Sequence, residues 1–294
     1  MNPSTARPWQ GIAFVMAAVA CFVVLDSTAK YVSATVPVMV AVWFRYVFQA
    51  VVVTVCMLPV RGRKLLATAH PRFQLLRGAL LLTVSMLSFW SVSLMPVGEF
   101  TAIVMLAPLA VTLLAAVFLK ERVSPLRWAL VCGGFAGALL IVRPGGQLSG
   151  WVTLLPLLMV AVYAVFQILT SRLARTEDPM TMHFYTGWVG AIAMSAVVPW
   201  VWAPITDLAT LARLCLVGLM GTVGHFLLIL AYGRAPASTL SPYLYCQIGF
   251  AMLAGWLVFD HVPGPLEWMG VGLIAACGAT AGWLSARELR NVQH

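Results

Sequence analysis

The side chains in this sequence that could do chemistry are few and scattered. Asp26, Lys30, Arg45 and Glu99 lie inside or beside long apolar stretches, where a charge is costly and usually meets another polar group or a water-filled path. Asp26 and Lys30 are four residues apart, so on a helix they share a face. Either they neutralise each other, or Lys30 or Arg45 holds a carboxylate, that of Asp26 or of a solute. Asp26, Lys30 and Glu99 are therefore the residues available for coupling or gating. Arg45, about eight residues into its stretch, is too deep to be an end anchor. His225 either takes up a proton near neutral pH or donates to a carbonyl.

Catalytic and metal-binding patterns are missing. The sequence has no G-x-S-x-G, no HExxH and no GxxxxGK[ST], and His70, His183, His225 and His261 fall on different segments. The six cysteines, Cys21, Cys56, Cys132, Cys215, Cys246 and Cys277, all sit in apolar runs without ligand spacing and read as small hydrophobes. No catalytic residue, metal or cofactor is expected. An intramembrane enzyme is the competing class, and it lacks a nucleophile with a base beside it.

The elements that position these groups follow from composition. Hydrophobic residues make up 62% of the chain and charged ones 9%, with a mean hydropathy of +0.94, so the chain is dissolved in lipid rather than in water. Apolar runs of bilayer length occur at roughly 10–29, 37–59, 73–94, 97–119, 125–143, 150–172, 180–203, 210–232, 236–259 and 265–286. They are continuous rather than alternating, which predicts ten transmembrane helices in an all-α integral membrane fold.

The chain is also written twice. A shift of 140 positions lays residues 72–142 on 212–282, with Pro96, Pro125, Trp128 and Ala136 falling on Pro236, Pro265, Trp268 and Ala276. Upstream, a shift of 142 places Trp9, Thr28 and Pro37 on Trp151, Thr170 and Pro179. Five spans per repeat is an odd number, so the second repeat enters the bilayer from the opposite side. Two inverted five-helix repeats around a central cavity are expected. With the first residue cytoplasmic, inner segments hold fourteen basic residues, Arg77 and Arg127 among them, and outer segments hold three, which satisfies the positive-inside rule with both termini cytoplasmic. The net charge of +9 is spread over separate loops and calls for no nucleic acid.

Polar faces on the predicted spans mark the cavity candidates. Ser238, Ser241, Pro242, Tyr245, Gly249 and Met252 share a face of the ninth span, and Thr101, Met105, Pro108 and Thr112 one of the fourth. Pro108 and Pro242 remove backbone donors and free carbonyls. Both faces read as cavity lining, with ordinary packing seams between helices as the alternative. Ser85, Ser88 and Phe89 stand on the third span, opposite His225 in the repeat scheme, and Tyr163, Phe166, Gln167 and Thr170 on the sixth. Trp90 and Trp188 lie well inside their spans and either stack on an aromatic solute or pack. The pairs Gly133/Gly137 and Gly278/Gly282 predict close helix contact on the fifth and tenth spans.

The run Pro108-Leu109 through Phe118-Leu119-Lys120-Glu121-Arg122, then Trp128, Gly133-Gly134-Phe135-Ala136-Gly137 and Val142-Arg143-Pro144, resembles an EamA-type module of the drug/metabolite transporter superfamily. The resemblance covers two modules, about 10–145 and 150–286, and is diluted in the second, where Asp260-His261 replaces Lys120-Glu121. It implies a ten-helix secondary transporter of the inner membrane that exports small metabolites by alternating access, amino acids foremost, and a look similar to bacterial aromatic amino-acid exporters. Cationic drugs and nucleotide or sugar metabolites are the alternative cargo. The expected partners are a small-molecule substrate and the lipid bilayer, and a monomer is favoured over a homodimer because ten helices can enclose a path alone.

Overall fold

The computed structural model describes residues 8–33, 35–94, 100, 103–142, 150–205, 207–259 and 264–293, and among them every regular element is helical. In chain order the α-helices are α1 (Pro8–Val32), α2 (Val38–Arg61), α3 (Pro71–Leu94), α4 (Ala107–Phe118), α5 (Pro125–Val142), α6 (Leu154–Leu173), α7 (Pro179–Val197), α8 (Leu208–Arg234), α9 (Ala237–Leu244), α10 (Cys246–Phe259) and α11 (Pro265–Gln293). Together α9 and α10 form one span, so the described residues make ten. By length and hydropathy alone, the helices within Pro8–Ala29, Val38–Leu65, Pro125–Val142, Trp151–Leu173 and Leu208–Arg234 can each cross a bilayer.

Local sequence sets the helix ends. Pro71, Pro125, Pro179 and Pro265 each open a helix, where the missing N–H is one that would have no partner anyway. Asp178 accepts from Met180 N at 2.9 Å and Thr181 N at 3.1 Å to cap α7, and Asp207 accepts from Thr210 N at 2.7 Å to cap α8. Two boundaries differ from the sequence reading. The seventh span leaves α-helical geometry at Val197 for a 3-10 turn at Val198–Trp200, and the tenth continues to Gln293.

Spans four and nine are both interrupted, at Met105–Leu106 and at Tyr245, positions that correspond in the repeat. Pro108 sits in the first turn of α4, and Pro242 lies inside α9, where it cannot donate to the carbonyl of Ser238. The Ser241 hydroxyl donates to that carbonyl instead, at 3.3 Å.

Inversion of the halves is visible in how repeat mates touch. On α5 and α11, Gly133 approaches Cys277, Gly137 approaches Ile274 and Gly270, and Ile141 approaches Gly270, so the two helices run antiparallel. Along α2 and α7 the contacts pass from Arg61–Asp178 through Ala50–Gly187 to Trp43–Ser195, again antiparallel. Span four meets span nine through Thr112–Ser241 and Met105–Tyr245 in the same sense. Helix pairing obeys the same two-fold: α1 packs on α8 as α6 packs on α3, and α2 on α8 as α7 on α3. The glycine seams are used differently from the sequence reading. Gly133 and Gly137 face α11, whereas Gly278 and Gly282 face the ring and hydroxyl of Tyr243.

One end of the bundle is tied together by loops. Glu121 joins Arg175 at 3.0 Å and accepts from Ser238 N at 3.0 Å and Ser238 Oγ at 2.8 Å, at the start of α9. Glu177 accepts from Thr68 Oγ1 at 2.8 Å and from Ala69 N at 3.1 Å. Arg234 reaches Gln10, so α1 begins at this end, and α11 runs back toward it. The same loops carry Arg61, Arg63, Lys64, Lys120, Arg122 and Arg175, which make this the basic end of the bundle.

Candidate functional site

One group of buried polar side chains meets where α1, α2 and α8 pack together. Arg45 Nη2 donates to His225 Nε2 at 2.6 Å. A guanidinium has no acceptor, so the imidazole must present a lone pair at Nε2 and carry its hydrogen at Nδ1. Both His225 Nδ1 and Arg45 Nε are buried without a hydrogen-bond partner. Aromatic rings wall the pair: Phe22 lies 4.8 Å and Phe166 6.3 Å from the imidazole, and the guanidinium carbon is 5.4 Å from the Tyr46 ring. Gly221 makes room, since a Cβ there would come within 2.9 Å of Arg45 Nε. Among the described residues no carboxylate lies within ion-pair distance of Arg45. The site thus offers two unused donors beside a positive charge, which suits the acceptor atoms of a solute.

A second layer adjoins the first. Tyr46 shares a hydrogen bond with Ser85 at 3.2 Å. Gln167 donates to the Tyr163 hydroxyl at 2.5 Å, leaving its own Oε1 buried and unpartnered, and Tyr232 also has a buried hydroxyl without a partner. Thr112 and Ser241 share a hydrogen bond at 2.6 Å, and Tyr245 donates to Met105 O at 3.2 Å. Ser241 and Tyr245 are thereby engaged in the crossing of spans four and nine.

Asp26 lies within electrostatic reach of Arg45, beyond ion-pair distance, and accepts from Gln247 Nε2 at 3.2 Å. Other expected residues stand elsewhere. Trp90 is 51% exposed on the outside of α3. Trp188 donates to Thr54 at 3.0 Å and lines a flank groove of about 390 Å³ with Trp43, Val47 and Ile192, not the centre of the bundle. Glu99 and Thr101, with the side chains of Lys30 and Phe89, lie outside the described residues.

The largest departure is Arg77. The charge count assigns it to an inner loop, yet it is 1% exposed inside the bundle. It donates to Thr170 Oγ1 at 2.9 Å, Met182 O at 3.0 Å and Thr186 Oγ1, with its guanidinium carbon 5.1 Å from the Phe166 ring. Arg127, also counted as a loop residue, is buried and donates to Thr239 at 2.8 Å. Depth along a helix is set by its packing neighbours, which residue counting does not see. Sequence reasoning also passed over Gln49 and His183. Gln49 Nε2 donates to His183 O at 3.0 Å and meets its Nδ1 at 3.2 Å, so the unpartnered Nε2 bears the hydrogen. The spacing Gln74-x-x-Arg77 on a face that also carries Leu81 was the signal available.

Comparison with known proteins fits this architecture. The EamA-like transporter family matches residues 9–143 and 150–279. A riboflavin transporter of Rhizobium johnstonii is 34% identical over 61% of this chain and 59% of its own length. One from Vibrio cholerae is 26% identical over 91% of each chain. An S-adenosylmethionine uptake transporter of Rickettsia bellii is 28% identical over 81% of each. A solved crystal structure superposes with a TM-score of 0.82 at 16% identity, covering 94% of this chain and 98% of the other, which shows the fold. These relatives carry a vitamin and a nucleoside-containing cofactor, so they do not support the expected kinship with aromatic amino-acid exporters.

Proposed function

The chain belongs to the EamA-like transporter family, and on that premise we propose that it is an alternating-access carrier for a small heteroaromatic metabolite of the riboflavin and S-adenosylmethionine class. The observation that carries this reading is the Arg45–His225 pair, a buried cation and imidazole with two unused donors, enclosed by Phe22, Phe166 and Tyr46. Ring carbonyls or a carboxylate accept from the donors, and a planar ring system packs on the aromatic walls. Inverted repeats supply the motion, since two antiparallel halves exchange conformations about a midplane site and expose it to each side in turn. Net direction follows the gradient imposed on the carrier.

The basic end is assigned to the cytoplasm of a bacterial inner membrane, which places both termini there. Removing buried Arg77 and Arg127 from the fourteen inner basic residues leaves twelve, still well above three outside.

The test is flux into proteoliposomes, with riboflavin, S-adenosylmethionine and tryptophan as separate radiolabelled arms. Saturable, counterflow-competent movement of either of the first two is expected. Transport of tryptophan alone would overturn the substrate class, and folded protein that moves none of the three would overturn the reading.

A further inference from the structure

Phe166 touches the surroundings of two buried arginines. Its ring meets the His225 imidazole, the partner of Arg45, edge-on at 6.3 Å, and the Arg77 guanidinium lies 5.1 Å from the same ring. Phe166 itself is 1% exposed. Among the described residues Arg77, like Arg45, has no carboxylate within ion-pair distance. A buried cation satisfied only by hydroxyls, a carbonyl and a ring is an expensive feature to keep for packing alone.

The two arginines occupy related places in the fold. Arg45 belongs to the α1/α2/α8 interface, and Arg77 to the α3/α6/α7 interface, which is its mate under the repeat. Arg45 is seven residues from the start of α2 and Arg77 six from the start of α3. At 1.5 Å per residue those depths are about 10 and 9 Å, measured from opposite ends of the bundle. Near Arg77, toward the basic end, further polar groups are buried without partners: both amide atoms of Gln74, the Ser171 hydroxyl and the Thr181 hydroxyl. Gln74 and Arg77 are one turn apart on α3, while Ser171 and Thr181 are the chain neighbours of Thr170 and Met182, which Arg77 contacts. Dry polar groups of this number on α3 and the two helices packed against it acquire partners when those helices part to admit water or solute.

We propose that Arg77, with Gln74, Ser171 and Thr181, forms a second solute station on the basic side of the membrane, and that Phe166 is the septum between it and the Arg45–His225 station. The ligand class is a solute whose acceptor atoms, carboxylate or ring carbonyl, move from one guanidinium to the other. Movement of the ring opens the route, and the Glu121–Arg175 and Glu177–Thr68 contacts close its mouth. This rests on the carrier reading above, but its test needs no substrate.

In a chain whose six cysteines are replaced by alanine, Ser171→Cys and Thr181→Cys are challenged with a membrane-impermeant maleimide from the basic end. Arg63→Cys serves as an exposed control. Both buried positions are expected to react, and faster when Phe166→Ala is added, with Ser85→Cys also becoming reactive from that end. If the control reacts while Ser171→Cys and Thr181→Cys stay protected with and without Phe166→Ala, the station does not exist. Should the cysteine-free chain fail to fold, hydroxyl-radical footprinting of the unmodified protein in nanodiscs decides: oxidation at Met182 and Phe166 supports the route, and its absence at both excludes it. A chain that passes these tests but carries neither riboflavin nor S-adenosylmethionine would refute the substrate reading and leave the route standing.

Discussion

The hydroxyl of Tyr245 donates to the main-chain oxygen of Met105, and these two residues stand 140 positions apart, the spacing of the internal repeat. Equivalent points of the two halves therefore touch where each half breaks its helix. The contact lies at the crossing of the two interrupted spans.

Removing that hydrogen bond alone should be mild. Tyr245→Phe is expected to lose about 0.5–1.5 kcal/mol, whereas Tyr245→Ala, which empties a fully buried ring site beside Gly134, should lose about 3–5 kcal/mol. Thermal unfolding in detergent compares the two, and equal losses would show that the hydroxyl dominates.

Arg45→Ala should cut flux by about ten- to a hundredfold, the value of one charge-assisted hydrogen bond of about 1.5–3 kcal/mol. Arg45→Lys keeps the charge but not the planar fork and should fall between. Proteoliposome flux with matched reconstitution checks the order, and wild-type rates in Arg45→Ala would remove this residue from the site.

Gly137→Ala should force α5 and α11 apart, because its Cβ would come within 2.8 Å of Gly270 O, a backbone atom that cannot rotate away. A loss of about 1–3 kcal/mol is expected. Gly272→Ala, on α11 and pointing into open space, should be neutral or gain up to about 1 kcal/mol. Melting temperatures of the two variants provide the comparison.

At the other end from the basic loops, the hydrogen bonds Asp207 accepts from Thr210 hold its carboxyl below the usual range. A depressed folded-state value means that the cap stabilises above the ordinary carboxylate range, near pH 4, and fades as pH falls through the folded value. Asp207→Ala should therefore lower the melting temperature at pH 7 and matter less below about pH 4. A difference that grows on acidification would contradict this.

Much of this architecture could be read from the residues. Duplication and the odd number of spans imply inversion, which the antiparallel contacts of Gly137 with Gly270 and of Gln49 with His183 display directly. Arg45 and His225 were each legible as deep polar groups, because a lone polar residue in an apolar run stands out. Their pairing was not, since they are 180 positions apart and on non-mate helices. Arg77 and Arg127 were misread because residues near the ends of apolar runs look alike whether they point to water or to a neighbouring helix. Trp188 misled in the opposite way: a tryptophan deep in sequence can still face the flank of a bundle.

The composition of the two arginine sites divides the duplicated protein unequally. Arg45 and Arg77 both come from the first half, while the imidazoles of His225 and His183 both come from the second. The position matching Arg45 in the other half is Gly187, and that matching Arg77 is Val217. A homodimer of the first half would bring four such guanidiniums and neither imidazole, and one of the second half would bring the reverse. Either half alone therefore holds only one member of the Arg45–His225 pair, and the site exists only where the two unlike halves face each other.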